Sequence, residues 1–479
     1  MDDGEFLDKL RAALGEGGVT ADPADLEPWL TDWRGRVTGN ALALVSPRNA
    51  GEVQAVVRLA AAAGIPIVPQ GGNTGMVAGG VPRPGDRAIV LSLRKMNAIR
   101  GIDAGDNSLV AEAGVILSEV HRAAEEVGRR FPLSLAAKGS ATIGGLVSTN
   151  AGGTQVLRFG PMRSLILGIE AVLPDGSLFE GLSSLRKDNR GYDLRQLLAG
   201  AEGTLGIVTA ASLKLVPAAP HRIVAWLGLG SAYDALSGLR ALEGAVGDAV
   251  ESFELVPANA LALVLKHIPD TRAPLRSDHD WHVLVEMRTS GDVAMLRTIA
   301  ETALATLLED GLIADAAIAE SEAQAEAFWK LRETISEAER IDGTGAKHDV
   351  SVPVSAMPGF IESTAPQVEA EFPGCRVIAF GHLGDGNVHF NVQPPKDAAP
   401  GWVAETGVLV SRFVHDRVRE VGGSLSAEHG IGQLKLEEFA RLAEPARLAA
   451  MRSIKHALDP KGIMNPGKLV PLANPGENS

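Results

Sequence analysis

The sequence predicts a mixed helix-and-sheet protein of two or three domains, and three observations lead there. Strand-like and helix-like apolar periods alternate along the first part of the chain and deliver it to a glycine loop at 68–80. Composition shifts at the Pro-Ala-Ala-Pro run at 217–220, after which strands and helices continue with fewer glycine loops. Two β-like runs then flank Gly-Asp-Gly-Asn at 384–387, which is hairpin chemistry. A chain of 479 residues is long enough to bury the cores that this arrangement needs.

Residues 1–40 read as a short helix and a polar lead-in, and 41–45 as a strand. Asn49 and Glu52 have capping-box spacing, and Val53, Val56, Val57 and Ala60 share one face of the helix that follows. Gly64 and Pro66 end that helix, and Ile67 and Val68 start the strand before the loop. The loop carries Gly71, Gly72, Gly75, Gly79 and Gly80, so its backbone N–H groups are free to converge on an anion such as a diphosphate. Its spacing is neither that of a triphosphatase loop nor Gly-x-Gly-x-x-Gly. Two successive tight turns are the alternative. Strands follow at 88–92 and 108–111, and Leu117, Val120, Ala124 and Val127 form a helical stripe ended by Gly128.

Between Lys138 and Thr154, small residues alternate with hydroxyls. A flat ligand could lie on such backbone, with Ser140, Thr142, Ser148, Thr149 and Asn150 as hydrogen-bonding groups; a pair of glycine-rich turns is the alternative. Glu202-Gly-Thr-Leu-Gly leads into a strand at 207–215. In the second half, 222–227 and 282–286 read as strands, and 293–308 and 319–340 as helices. Arg332 and Ser336 lie four apart on the second helix, although a helical arginine is usually a solvated charge. The last few residues read as disordered.

Composition excludes several classes. A formal charge of −14 makes nucleic acid and acidic membrane surfaces poor partners, so an anionic substrate would need local cations. The single cysteine, Cys375, rules out an internal disulfide framework. An acidic start without an apolar core, and no apolar run long enough for a bilayer, leave a cytoplasmic location as the expectation and no transmembrane segment.

The second organising stretch is 377–392. Val388, Phe390 and Val392 take one face of its second run, and His389 and Asn391 the other. A hairpin would return His382 to the neighbourhood of His389. With Glu428 this makes a His₂Glu set, the composition of a catalytic zinc-like site, while the adjacent His429 would diverge toward substrate. Separate, hydrogen-bonded histidines are the alternative.

With these motifs the chain resembles the FAD enzymes of the vanillyl-alcohol oxidase and p-cresol methylhydroxylase superfamily, over nearly its whole length. Pro69, Gln70, Gly71, Gly72, Asn73, Thr74 and Gly75 resemble its pyrophosphate loop. Ile143, Gly144 and Gly145, then Thr149, Asn150, Gly152 and Gly153, then Glu202, Gly203, Gly206 and Ile207 resemble its other flavin-contacting segments. Lys138, Gly139, Ser140 and Asn465 are expected to join them. The stretches around His382 and Glu428 are similar to the D-2-hydroxyacid branch.

The resemblance implies an α+β fold. A lead-in at 1–37 would precede a two-subdomain FAD-binding domain at 38–217. An antiparallel-sheet substrate- and metal-binding domain would span 218–420, and a C-terminal helical segment at 421–479 would return to the flavin. It implies dissociable FAD, because no His or Cys lies in 68–80. It implies zinc or a similar divalent ion on His382, His389 and Glu428, and His429 as the base that also touches substrate. Arg332, Ser336, Lys347 and Asn391 would bind the substrate; relatives carry threonine where Ser336 stands. The reaction would oxidise a D-2-hydroxy acid to a 2-oxo acid, with the C2 hydride passing to flavin N5. A second cation favours 2-hydroxyglutarate or malate over D-lactate. A non-catalytic flavin- and metal-binding sensor is the rival from another class. Electrons would leave to electron-transfer flavoprotein or a quinone-linked acceptor rather than NAD, and a homodimer is the expected assembly.

Overall fold

The computed structural model describes residues 1–471; the expected disordered tail lies outside these residues. The chain divides into two compact units. One comprises Met1–Gly152, Gly160–Ala218 and the described residues from Glu428 onward; the other comprises Gly153–Phe159 and Ala219–Ala427.

The first unit holds a four-stranded sheet in the order Val19–Thr20, Ala41–Val45, Ala88–Ser92, Ile67–Gln70. Its last three strands are parallel, and the helix Ala50–Ala63 makes the crossover. That helix forms where the spacing predicts: the Asn49 side chain accepts the Glu52 N–H, and Gly64 closes it with φ +65°. Its buried Val53, Val56, Val57 and Ala60 pack in one core with Phe6, Leu10 and Leu14 of the helix Asp3–Leu14. The C-terminal segment joins this sheet. The Ile67 N–H donates to the Ile463 carbonyl at 2.8 Å and the Asn465 N–H to the Ile67 carbonyl at 2.9 Å, beside the strand that leads into the glycine loop. A second, antiparallel sheet has the order Ile99–Asp103, Ser108–Glu112, Ile207–Lys214, Ile166–Val172, Leu178–Gly181. The short helix Ile143–Thr149 packs against Ile207–Lys214.

The second unit is built on a seven-stranded antiparallel sheet. Its order is Asp315–Ile318, His221–Leu229, Trp281–Thr289, Val250–Pro257, Arg376–His382, Asn387–Gln393, Ala346–Ser351. One face packs on the helices Ala232–Val246, Val293–Glu309, Met357–Glu371 and Thr406–Glu420. The other packs on Ala258–His267, Glu322–Glu333 and Ile335–Asp342 around Trp226, Leu284 and Phe380. Period-2 alternation sorts the chain between them: Val388, Phe390 and Val392 enter the first core, which turns His389 and Asn391 to the second face.

Two sequence readings need correction. The stripe expected to run to Val127 stops with the helix Leu117–Glu125, and Val127 is exposed. The helix expected at 319–340 is two helices, Glu322–Glu333 and Ile335–Asp342, broken at Thr334. The Thr334 hydroxyl donates back to the Lys330 carbonyl at 2.7 Å, the i−4 bond by which threonine bends helices.

Candidate active site

In the first unit the glycine loop begins where the strand Ile67–Gln70 ends. Gly71 and Gly72 are required by close approach. A Cβ on Gly71 would lie 2.2 Å from Thr142 Oγ1, and one on Gly72 would lie 2.1 Å from the Ser140 carbonyl. Asn73 takes φ +55° and donates its amide to the Thr31 carbonyl. Gly203, at φ +72°, lies against Pro69, and Gly144 lies against Ala113. Asn150 ends the short helix in the left-handed region, and its Oδ1 accepts the Arg163 N–H. Thr149 Oγ1 donates to the Gly145 carbonyl. The segments 69–75, 138–145, 149–152, 202–207 and Asn465 thus belong to one unit, whereas Gly153 begins the other. Lys138, Gly139 and Ser140 are exposed.

Glu202 and Asn465 tie the loop to the C-terminal segment. Glu202 is buried at φ +50° and accepts the N–H groups of Ile431 and Gly432, each at 2.7 Å. Burial raises its pKa against those two bonds. Asn465 Nδ2 donates to the carbonyls of Gly79 and Glu202.

Around this loop Gln70 Oε1, Thr142 Oγ1 and Asn465 Oδ1 are buried acceptors with no hydrogen-bond partner among the described residues. Buried polar atoms are rarely left so. The hydroxyls and ring N–H of a flavin nucleotide are the donors such atoms need, so this set fits FAD.

Lys468 was not singled out by sequence. It is 1% exposed, and its ammonium has no hydrogen-bond partner among the described residues. Burial lowers its pKa to about 8, against Asp86 and Glu202, which raise it. Between pH 8 and its ordinary 10.5 the FAD-free native state binds fewer protons than the unfolded chain, so stability rises with pH across that window. Lys468→Met removes this slope from a denaturant-midpoint series against pH. It also raises stability at pH 7 by about 3 kcal/mol.

In the second unit the expected hairpin forms. Arg376–His382 pairs with Asn387–Gln393 across a turn containing Gly386 at φ +80°. It brings the His382 and His389 rings to 5.5 Å, edge to face. His382 Nδ1 donates to Glu254 Oε1 at 2.8 Å, which sets the proton on Nδ1 and the lone pair on Nε2. His389 Nδ1 lies 3.7 Å from Asp349 Oδ1, and that oxygen accepts the Asn387 amide at 2.9 Å. Burial raises the pKa of Asp385 in the turn; His382 opposes this, and the Glu254 and Asp349 charges add to it. Two anchored imidazoles among three buried or half-buried carboxylates form a net-negative cluster, which fits a divalent cation.

Three of the expected substrate residues, Arg332, Lys347 and Asn391, lie on the same face. Arg332, in the last turn of Glu322–Glu333, is buried, with its guanidinium 4.9 Å from the Phe380 ring centroid. Its Nε donates to Glu254 Oε2 at 2.9 Å. Burial works to raise the Glu254 pKa, but His382 and Arg332 outweigh it and hold it below the usual range. Lys347 pairs in register with Asn391, and both donate to Glu339 Oε2, at 3.2 and 2.8 Å. Burial leaves the Glu339 carboxyl above its usual range despite Lys347 and Asn391. Ser336 lies beyond the helix break and is exposed, unlike Arg332. The Ala427 N–H donates to the Asp349 carbonyl, and Glu428 and His429 follow as the first residues of the last segment of the first unit. Gly152, in that same unit, lies beside Glu428: a Cβ there would lie 2.5 Å from Glu428 Oε1, and the glutamate side chain would have to shift.

Glu254, Glu339 and Asp349 escaped the sequence reading. Glu251 and Glu254 inside the otherwise apolar Val250–Pro257 were the available signal, since a strand buried on both faces admits a carboxylate only with partners. Glu339, among the charges of a helix, gave none.

The fold is one shared with solved flavoprotein structures. The chain superposes on 4-ethylphenol oxidase from Gulosibacter chungangensis with a TM-score of 0.73 at 18% identity, covering 98% of this chain and 97% of that one. It superposes on p-cresol methylhydroxylase with a TM-score of 0.71 at 17% identity over the same shares. Residues 41–181 match the FAD binding domain model, and 218–469 match the model of FAD linked oxidases, C-terminal domain. The D-2-hydroxyglutarate dehydrogenase of Xanthomonas citri pv. viticola is 40% identical over 460 residues, 96% of each chain. The mitochondrial D-2-hydroxyglutarate dehydrogenase of Bos taurus is 37% identical over 95% of this chain and 81% of its own length. The chain belongs to the D-2-hydroxyglutarate dehydrogenase family of FAD-linked oxidases, and it is an FAD-dependent dehydrogenase.

Proposed function

We propose that the protein oxidises D-2-hydroxyglutarate, and more slowly D-malate, to the 2-oxo acid. The observation that carries this reading is the single sheet face holding His382, His389, Arg332, Lys347 and Asn391, each fixed by or beside a buried carboxylate. FAD when bound supplies the acceptor for the C2 hydride, and Zn²⁺ or a similar ion on His382, His389 and Glu428 supplies a Lewis acid toward the C2 hydroxyl. The chain itself does the rest. His429 takes the hydroxyl proton. Arg332 and Lys347 bind the two carboxylates, with Asn391 and the Ser336 hydroxyl as neutral partners. The glycine loop, the 138–153 and 202–207 segments and Asn465 hold the FAD non-covalently.

Electrons leave to electron-transfer flavoprotein or a quinone-linked acceptor. No helix among the described residues is long and apolar enough to cross a membrane. The one cysteine, buried Cys375, supports a reducing cytoplasm, although several relatives are named as mitochondrial.

The test is a kcat/KM panel of D-2-hydroxyglutarate, D-malate and D-lactate. A monoacid leaves one of the two cations idle, so D-lactate is expected to fall about 10²-fold or more below the five-carbon diacid. Equal or higher kcat/KM for D-lactate would replace this reading with a lactate dehydrogenase.

A further inference from the structure

We infer that Glu254 is a positioning residue that fixes the metal-binding His382 and the substrate-binding Arg332 as one unit. The inference rests on the site reading above, and it concerns a residue assigned neither to the metal nor to the substrate.

Glu254 lies on the Val250–Pro257 strand, directly opposite His382 in the register of the sheet, with its side chain 1% exposed. Its two oxygens serve different partners. Oε1 accepts from His382 Nδ1 at 2.8 Å; Oε2 takes Arg332, with Nε at 2.9 Å and Nη2 at 2.8 Å. The network closes on itself. The Arg332 guanidinium lies over Phe380, the Phe380 ring is 5.0 Å from His389, and His389 is 5.5 Å from His382. Neither His382 nor Arg332 can turn without breaking a bond to the same carboxylate.

Stability alone does not account for this carboxylate. A buried ion pair is commonly no more stabilising than well-packed apolar residues of the same volume. A carboxylate on the far nitrogen of an imidazole does fix the tautomer, the ring plane and the lone pair that a metal needs. Here the same group also sets the guanidinium, so metal site and carboxylate grip are placed relative to each other by one side chain.

Glu286 on the neighbouring strand is the built-in control. It is also buried, but its bonds go to Trp329, Arg222 and Arg288. A merely structural glutamate should behave as Glu286 does.

The experiment compares wild type, Glu254→Gln and Glu286→Gln as FAD-loaded proteins. Zn²⁺ affinity is measured on chelator-treated protein by competition with a metal-binding dye, alongside Tm, kcat and KM for D-2-hydroxyglutarate. Glu254→Gln is expected to weaken Zn²⁺ binding about 10- to 100-fold and to lower kcat/KM with it, while Glu286→Gln lowers Tm alone. Glu254→Gln with Zn²⁺ affinity within about threefold of wild type, or Glu286→Gln weakening Zn²⁺ as much, overturns the inference. Should Glu254→Gln fail to fold, Glu254→Asp keeps the charge with a shorter reach; weakened Zn²⁺ binding supports the inference and wild-type affinity overturns it. Wild type that neither binds Zn²⁺ nor turns over any D-2-hydroxy acid overturns the site reading and this inference with it. An active, Zn²⁺-binding wild type with unchanged glutamate variants overturns the inference alone.

Discussion

Replacing His429 by asparagine is expected to leave FAD bound and lower kcat about 10²- to 10⁴-fold, the range that a positioned proton acceptor contributes. Asparagine keeps the size and hydrogen-bonding capacity of imidazole at one edge, but it takes no proton near neutral pH. The flavin visible spectrum reports that the cofactor site is intact. Anaerobic bleaching by D-2-hydroxyglutarate then reports the chemical step directly. The signature is slow bleaching with KM little changed, since a group that acts on the proton in the transition state affects kcat and kcat/KM together. Near-normal kcat in His429→Asn would remove His429 as the base.

The local signals in the sequence were strong where a backbone requirement forces a residue type. The Asn49 cap and the Gly64 stop delimit their helix because side-chain capping and positive φ leave few alternatives. The hairpin at 384–387 and the two-faced alternation of 387–393 placed His382 beside His389 for the same kind of reason. Where tertiary bonds decide, the sequence was silent. The break at Thr334 carries no glycine or proline to mark it, and a helix-long apolar pattern runs across it. The carboxylates that hold the site residues come from three different elements, Glu254 lying 128 positions before His382, and no local period marks those pairings. Arg332 shows both sides. Its spacing from Ser336 was readable, but its burial on Glu254 was not, and that burial separates a site cation from a solvated charge.

Stripping the divalent ion is the other large effect. Dialysis against a strong chelator is expected to abolish turnover while FAD remains bound, and stoichiometric Zn²⁺ is expected to restore it. The geometry behind this is the pair of imidazoles at 5.5 Å, each with a carboxylate near Nδ1, in a cluster where Asp349, Asp385 and Glu254 outnumber the nearby cations. Without a cation those carboxylates repel one another and the imidazoles lose their common target, so the hydroxyl of a bound substrate would keep its ordinary, very high pKa. His429 cannot take a proton from such a hydroxyl at a useful rate. His389→Asn should reproduce the chelated state in a form that Zn²⁺ no longer rescues at stoichiometric concentration. Full activity in chelator-treated protein shown by elemental analysis to be free of divalent metal would exclude a metal role. His382 and His389 would then be groups that bind the substrate carboxylate directly.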